Sequence, residues 1–234
     1  MLNIVIPAAG NGQRFIDAGY KDPKPFININ NIPMILMVIK NMLPLEDVNI
    51  TIVVKREHSS YVNKYLQGYR CVYLEKLTDG AARTVLSGII GLDINDELII
   101  INSDQLIDWP DGGIQSMINF ARGRNLDGCI STFTSNSKNF SYAKCNNGRV
   151  VEVAEKIVIS NHATAGTYYF KTIEMFINSA NEMIRRNIRT NGEFYVCPIY
   201  NCAIKKCGAI VDIYDVLKVH ELGTPDGLIK YLNG

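Results

Sequence analysis

The sequence predicts a doubly wound α/β fold on a mostly parallel, mixed sheet in a single domain, and three observations carry that expectation. Apolar, β-branched runs alternate with helix-like stretches as far as Ile101, and such alternation implies right-handed crossovers that cover a sheet on both sides. Within the runs, successive residues are apolar, as strands buried on both faces require. The chain has 234 residues, 47% of them hydrophobic, and no repeat, low-complexity stretch or linker divides it. That is enough to bury the core of one such domain.

The first strand, Asn3–Pro7, drops directly into Ala8-Ala9-Gly10-Asn11-Gly12 and then Arg14. Side-chain-poor residues after a buried strand let backbone N–H groups approach a ligand, and a fixed cation beside them suits a polyphosphate. Lys24 follows between Pro23 and Pro25, a second cation on a stiffened segment. Separately these features read as a tight turn and two solvated surface cations; together they point to a nucleoside triphosphate.

A helix is expected over Pro33–Met42, with proline at its start, then a strand at Asn49–Val54, a helix at His58–Gln67 and a strand at Arg70–Leu74. Thr78-Asp79-Gly80-Ala81-Ala82 opens the next helix, Ala81–Ile90; Thr78 or Asp79 there could be a plain helix cap. The strand Glu97–Ile101 stops abruptly at Asn102-Ser103-Asp104-Gln105. Ligands of open α/β sheets bind off the carboxyl ends of strands, which delivers Asp104 to the edge carrying the glycine loop. A carboxylate there can hold Mg²⁺ against phosphate oxygens, or can merely cap the turn.

Beyond Asp104 the pattern changes to strands with little helix between some of them: Asp127–Phe133, Tyr142–Cys145, Arg149–Ala154 and Ala163–Phe170. Asn146-Asn147-Gly148 is a hairpin signal joining the second and third. Helices are expected to resume at Glu174–Arg186 and Phe194–Lys205.

Composition excludes several classes of function. A formal net charge of +1, with charges mixed rather than blocked, gives no field for nucleic acid. No apolar run approaches the roughly 18 to 20 residues of a membrane span, and no leader is expected ahead of the first strand. The six cysteines contain no C-x-x-C spacing and several lie in apolar runs, so they read as reduced, buried thiols of a cytoplasmic protein. The three histidines are too scattered for a metal site by spacing, and Trp109 reads as packing. The chain is compatible with a homo-oligomer.

The segment Ile4 to Ile35 (IVIPAAGNGQRFIDAGYKDPKPFININNIPMI) resembles the signature of the sugar-phosphate nucleotidyltransferase superfamily, and within it a bacterial branch of small capsule and surface-polysaccharide nucleotidyltransferases. The likeness recurs in NSDQ (Asn102 to Gln105), VAEK (Val153 to Lys156), NGEFY (Asn191 to Tyr195) and LGTPD (Leu222 to Asp226), and so spans nearly the whole chain. One departure is Gln13, where the family usually carries Thr or Ser before the arginine.

The resemblance implies a Rossmann-like, GT-A type domain over 1–234, with a nucleotide-binding half at 1–110 and an acceptor-binding half at 111–234. It implies attack by a phosphate monoester on the α-phosphorus of an NTP, with pyrophosphate leaving in line. The nucleophile is already an anion, so the site must supply alignment and charge neutralisation rather than a general base. Arg14 would hold the β- and γ-phosphates, and Lys24 the α-phosphate or the acceptor phosphate. Mg²⁺ would sit on Asp104, with Glu221 as second ligand and Asp226 as its local competitor. Nucleotide-binding candidates are Ala8, Ala9, Gly10, Asn11, Gly12, Thr78, Gly80, Ala81 and Ser103. Acceptor candidates are Tyr142, Glu155, Lys156, Gly166 and Glu193, although Asn191-Gly192-Glu193 also fits a helix cap. A pyrimidine triphosphate is expected, CTP ahead of UTP and dTTP. The acceptor is expected to be a sugar 1-phosphate, ahead of an amino-alcohol or amino-acid phosphate. Two alternatives stand beside this: a GT-A type glycosyltransferase using a nucleotide sugar, which usually wants Asp-x-Asp where Asn102-Ser103-Asp104 lies, and a noncatalytic nucleotide-binding relative.

Overall fold

The computed structural model describes residues 1–45 and 47–234. The first half runs β1 (Leu2–Pro7), α1 (Gln13–Asp17), β2 (Asn28–Ile29), β3 (Ile32–Pro33), α2 (Met34–Met42), β4 (Val48–Lys55), α3 (Ser59–Tyr65), β5 (Arg70–Leu74), α4 (Ala81–Gly88) and β6 (Glu97–Ile101). Then follow β7 (Gln105–Asp108), α5 (Gly113–Gly123), β8 (Gly128–Thr134), β9 (Ser141–Asn146), β10 (Arg149–Glu155) and β11 (His162–Phe170). The chain continues through α6 (Ile173–Arg185), α7 (Ile199–Cys207), β12 (Val211–Asp215), β13 (Lys218–Glu221) and α8 (Pro225–Leu232).

Nine strands form one mixed sheet in the order β10-β9-β11-β6-β1-β4-β5, with β8 paired to β11 and β12 to β8. β1 lies parallel to both β4 and β6, and β4 to β5. β11 runs antiparallel to β6, β8 and β9. Parallel pairing thus joins the strands of the first half, as their double-sided apolar runs require, and recurs once later, where β12 runs parallel to β8. Register places Ile4 beside Ile50 and Ile99. Alternate residues feed opposite layers: Ile4, Ile6, Ile52 and Ile99 pack with Met34 and Met117, whereas Val5, Val53 and Ile100 pack with Val85 and Phe176. Each of these is fully buried, and truncating one to alanine costs about 2–5 kcal/mol in such surroundings.

The hairpin signal holds: Asn147 and Gly148, at φ 49° and 71°, turn β9 into β10. The helix expected over Phe194–Lys205 instead begins at Ile199. Pro198 stands at its N-cap, and Phe194 ahead of it lies outside any helix and is fully buried, tied by its N–H to the Asp79 carbonyl at 2.8 Å. Tertiary hydrogen bonds thus claim the backbone that a longer helix would have used. Several elements were not foreseen. α5 carries the apolar face Ile114, Met117, Ile118 and Ala121, but glycines stand at both its ends and no side chain caps it. β7 and β13 are four residues each and pair only with one another. Among the described residues no helix is long and apolar enough to cross a membrane, and all six cysteines are unpaired.

Candidate active site

β1 ends at Pro7, and the Ala8 N–H donates to the Val53 carbonyl at 2.8 Å, so the small-residue loop leaves the sheet at the carboxyl end of a buried strand. Gly12 turns it into α1 at φ 66°, and a Cβ there would lie 2.8 Å from the Lys24 Cβ. The glycine is required twice, by its backbone and by the lysine packed over it. Phe15, 1% exposed, anchors α1 from below and leaves Arg14 facing out over the cleft. Gln13 bonds Asp17 one turn on, at 2.8 Å, and leaves the arginine in place.

Lys24 opens a 3-10 turn whose Pro25 and Phe26 are buried, and its ammonium forms an ion pair with Asp104 at the end of β6. The Leu222 N–H donates to the Asp104 carbonyl at 2.9 Å. Gly223 then passes so close that a Cβ would sit 2.6 Å from an Asp104 carboxylate oxygen. β13 pairs with β7 so that Glu221 stands opposite Gln105, which brings Glu221 to the same cavity as Asp104, Arg14 and Lys24. Burial pushes the Glu221 carboxyl above the ordinary range and the Asp104 charge pushes the same way, while Arg14 and Lys24 pull it back. Asp226 lies in the first turn of α8 and does not line that cavity; it faces an adjoining hollow with Lys230, which Arg14 and Glu221 also border. Among the described residues no cluster of three or more metal-ligating side chains occurs. The two carboxylates are a fit for a hard divalent cation, since both offer oxygen donors and their mutual repulsion is what such a cation relieves.

Two cavities flank this pair. One, about 470 Å³, is walled by the loop Ala8 to Gly12, by Thr78, Gly80 and Ala81 of the α4 turn, and by Ser103. The other, about 560 Å³, is walled by Arg14, Glu155, Lys156, Lys138, Tyr168 and Glu221 among others. They share Gly12, Gln13, Lys24, Ala81, Asn102, Asp104 and Tyr195, so a ligand in one borders a ligand in the other across Asp104.

Three expectations change. Tyr142 does not wall the acceptor-side cavity: its ring is fully buried, and its hydroxyl donates to the Ser137 carbonyl at 2.8 Å, bracing the loop that carries Lys138. Gly166 lies behind the cavity wall. At φ 78° its missing Cβ admits the Gln105 side-chain oxygen, which a Cβ would meet at 1.8 Å, and its carbonyl accepts from the Asn102 N–H at 2.8 Å. Glu193 lines the smaller cavity rather than the larger one, at the end of a turn closed by its backbone bonds with Thr190. Gly80 lines the smaller cavity, and at φ 125° it also makes room for the Phe194 backbone, whose oxygen a Cβ would meet at 2.4 Å. Thr78 bonds Thr84, and Asp79 pairs with Arg83 and Arg189, so neither caps α4.

Glu155 and Lys156 do stand at the larger cavity. Glu155 is 7% exposed and accepts from the Ser141 hydroxyl. Burial pushes its carboxyl up, against the Ser141 hydrogen bond and the Lys156 charge. Lys156, at φ 58°, donates to the Tyr195 hydroxyl at 2.7 Å and lies over that ring. Lys138, Asn139, Thr164 and Tyr195 were not foreseen at the site; only Tyr195 had a signal, as the aromatic of NGEFY. His220 pairs with Asp108 at 3.0 Å, and Trp109 packs against the core as expected.

The nucleotidyl transferase family model matches residues 3–199. Over 116 residues the chain is 26% identical to 2-C-methyl-D-erythritol 4-phosphate cytidylyltransferase of Carboxydothermus hydrogenoformans, a match covering 48% of each chain and so about half the length of that relative. A nucleoside-diphosphate-sugar pyrophosphorylase from Vibrio cholerae superposes with a TM-score of 0.84 at 24% identity, over 99% of this chain and 100% of that one. A UDP-glucose pyrophosphorylase complexed with UDP-glucose gives 0.80 at 18% identity, over 100% of this chain and 97% of the other. These superpositions establish a shared fold.

Proposed function

The chain belongs to the nucleotidyl transferase family, and on that premise we propose that it couples a pyrimidine nucleoside triphosphate, CTP first, to a sugar 1-phosphate with release of pyrophosphate. The observation that carries this is the meeting of Asp104 and Glu221 beside Arg14 and Lys24 in the larger cavity, with Asp104 and Lys24 also on the wall shared with the smaller one. The smaller cavity, lined by small residues and backbone, takes the nucleotide. The larger one, with Lys138 and Lys156, takes the phosphorylated acceptor.

Arg14 lies where the outer phosphates would leave and follows the charge moving onto pyrophosphate. Lys24 sits between the cavities and neutralises the crowded phosphates as they align. Asp104 and Glu221 would hold Mg²⁺, which supplies further neutralisation of phosphate oxygens when bound. Lys156 holds the acceptor phosphate, and Glu155 accepts from an acceptor hydroxyl. Glu193 lines the smaller cavity, and of the two acidic residues of the larger one besides Asp104, Glu155 is buried against Ser141 and Glu221 is assigned to the metal, which leaves little free negative charge for a cationic amine. This favours a neutral sugar over an amino-alcohol. CTP leads because the relative matched in sequence is a cytidylyltransferase. The cytoplasm, where NTPs and reduced thiols coexist, is the proposed compartment, and surface-polysaccharide synthesis the proposed use. Asn102 in place of an aspartate, with both cations kept, speaks against a glycosyltransferase.

Pyrophosphate release with each NTP, Mg²⁺ and a panel of phosphorylated acceptors tests the proposal. The largest turnover is expected with CTP and a sugar 1-phosphate. A preference for ATP or GTP, or transfer of sugar from a nucleotide sugar, would refute it.

A further inference from the structure

The segment from Asn187 to Tyr195 is irregular, yet it reaches both cavities: Asn191 borders the acceptor side, Glu193 the nucleotide side, and Tyr195 both. Its backbone enters the left-handed region at Asn187, Asn191 and Gly192, with φ of 52°, 49° and 82°. Within it, Thr190 and Glu193 exchange two backbone hydrogen bonds of 3.0 Å. A short turn of this kind does not fix its own direction, so something outside it must.

Arg189 does so. Its guanidinium donates to the Asn187 side-chain oxygen at 2.6 Å, to the Gly192 carbonyl at 2.7 Å and to the Asp79 carboxylate at 2.7 Å. Its plane lies 3.9 Å from the centre of the buried Phe194 ring. The first two bonds brace the turn from inside; the third fastens it to the turn that opens α4. Backbone bonds complete the joint, from the Phe194 N–H to the Asp79 carbonyl at 2.8 Å and from the Ala82 N–H to the Phe194 carbonyl at 3.0 Å. Arg guanidinium is suited to this task, because a planar fork can serve several acceptors while stacking on a ring.

We propose that Arg189 is a positioning residue, a latch that sets the nucleotide-side and acceptor-side walls with one fastening. It touches no reacting atom. It acts by holding Asn191, Glu193 and Tyr195 at the cleft, and it couples their placement to Thr78 through Ala81. The inference rests on the two-substrate reading above.

Arg83 provides the comparison. It pairs with the same Asp79 carboxylate at 2.7 Å and approaches the same ring at 5.4 Å, but it stands on α4 and makes no bond to the segment 187–195. In Arg189→Ala we expect the KM for acceptor and the KM for NTP each to rise about tenfold, as loss of one charged hydrogen bond implies, with kcat at saturation within about threefold of wild type. In Arg83→Ala the acceptor KM is expected to stay unchanged. Amides 190–195 should exchange about tenfold faster in Arg189→Ala and not in Arg83→Ala. Equal behaviour of the two variants, unchanged KM and exchange in Arg189→Ala, or a fall in kcat with both KM values kept would overturn the latch. If wild-type protein releases no pyrophosphate from any pairing, the proposed function fails, and the exchange comparison alone decides the latch.

Discussion

The nucleotide-side and acceptor-side cavities share one wall but are built by different means. The first is built largely from the small residues of the loop Ala8 to Gly12 and of the α4 turn, Thr78, Gly80 and Ala81, with Glu193 and Tyr195 at its far side. The second is made from long polar side chains on β10, β13, α1 and the loop before β9, separated by up to two hundred residues of chain. A backbone cradle recognises what polyphosphates have in common, whereas scattered side chains recognise what makes one acceptor different from another. Damage to the shared wall should therefore abolish turnover, and damage to either side should change affinity for one substrate.

The largest effect is expected on the shared wall. Asp104→Asn keeps size and hydrogen bonding but removes a charge, and Mg²⁺-dependent turnover should fall at least a thousandfold, on the order of what one electrostatic contact contributes in a closed site. Thermal unfolding should show little loss of stability, and Glu221→Gln should be milder or equal. Full activity of Asp104→Asn would reduce that carboxylate to a partner of Lys24.

Next come the two cations. Arg14→Ala or Lys24→Ala should lower kcat by about a hundredfold to a thousandfold while the protein stays folded. An unchanged rate of pyrophosphate release in either would break the assignment of that cation to the phosphates.

On the nucleotide side, Gly80→Ala places a Cβ 2.4 Å from the Phe194 carbonyl oxygen at φ 125°. It should cost about 1–3 kcal/mol of stability and, because Phe194 belongs to the joint that Arg189 fastens, raise both KM values, that for NTP more than that for acceptor. The comparison sharpens if the NTP constant rises more, and fails if the acceptor constant does.

The smallest effect belongs to the acceptor side. Glu155→Gln should raise the acceptor KM about tenfold with the KM for NTP kept. It should also shift stability with pH. Burial raises the folded-state pKa of Glu155 above its unfolded value, so the folded chain holds that proton more tightly than the unfolded one does. Its contribution favours the fold below the unfolded pKa and is lost as pH rises through the folded one. Melting temperatures of wild type and Glu155→Gln, compared from pH 4 to pH 8, should show the variant gaining on wild type as pH rises. A constant difference would contradict the buried carboxylate.

The same contrast explains what could be read from the sequence. The parallel half announced itself because a doubly covered strand must be apolar, as β6 is from Leu98 to Ile101, and the phosphate loop because Gly12 must be glycine for local reasons. Asp104 was legible from its place at a strand end, and Glu221 only through resemblance; their meeting depends on β13 pairing with β7, a contact of four residues with no local signal. Glu193 was assigned to the acceptor because its direction is set by Arg189 reaching Asp79, a contact 110 residues apart. Tyr142 has the chemistry of a ligand contact but spends its hydroxyl on Ser137. The amphipathic face of α5 was present in the sequence, at Ile114, Met117, Ile118 and Ala121, and glycines at both its ends masked it.

The central claim is nucleotidyl transfer on the wall between the two cavities. Its most direct test uses CTP labelled at the α-phosphate, Mg²⁺ and a sugar 1-phosphate, with wild type and Asp104→Asn side by side. Wild type is predicted to move the label into a nucleotide sugar with one pyrophosphate released per label transferred, and Asp104→Asn to lose both signals together. Pyrophosphate and labelled product formed at equal rates by the two proteins, or no transfer by wild type from any NTP, would contradict it.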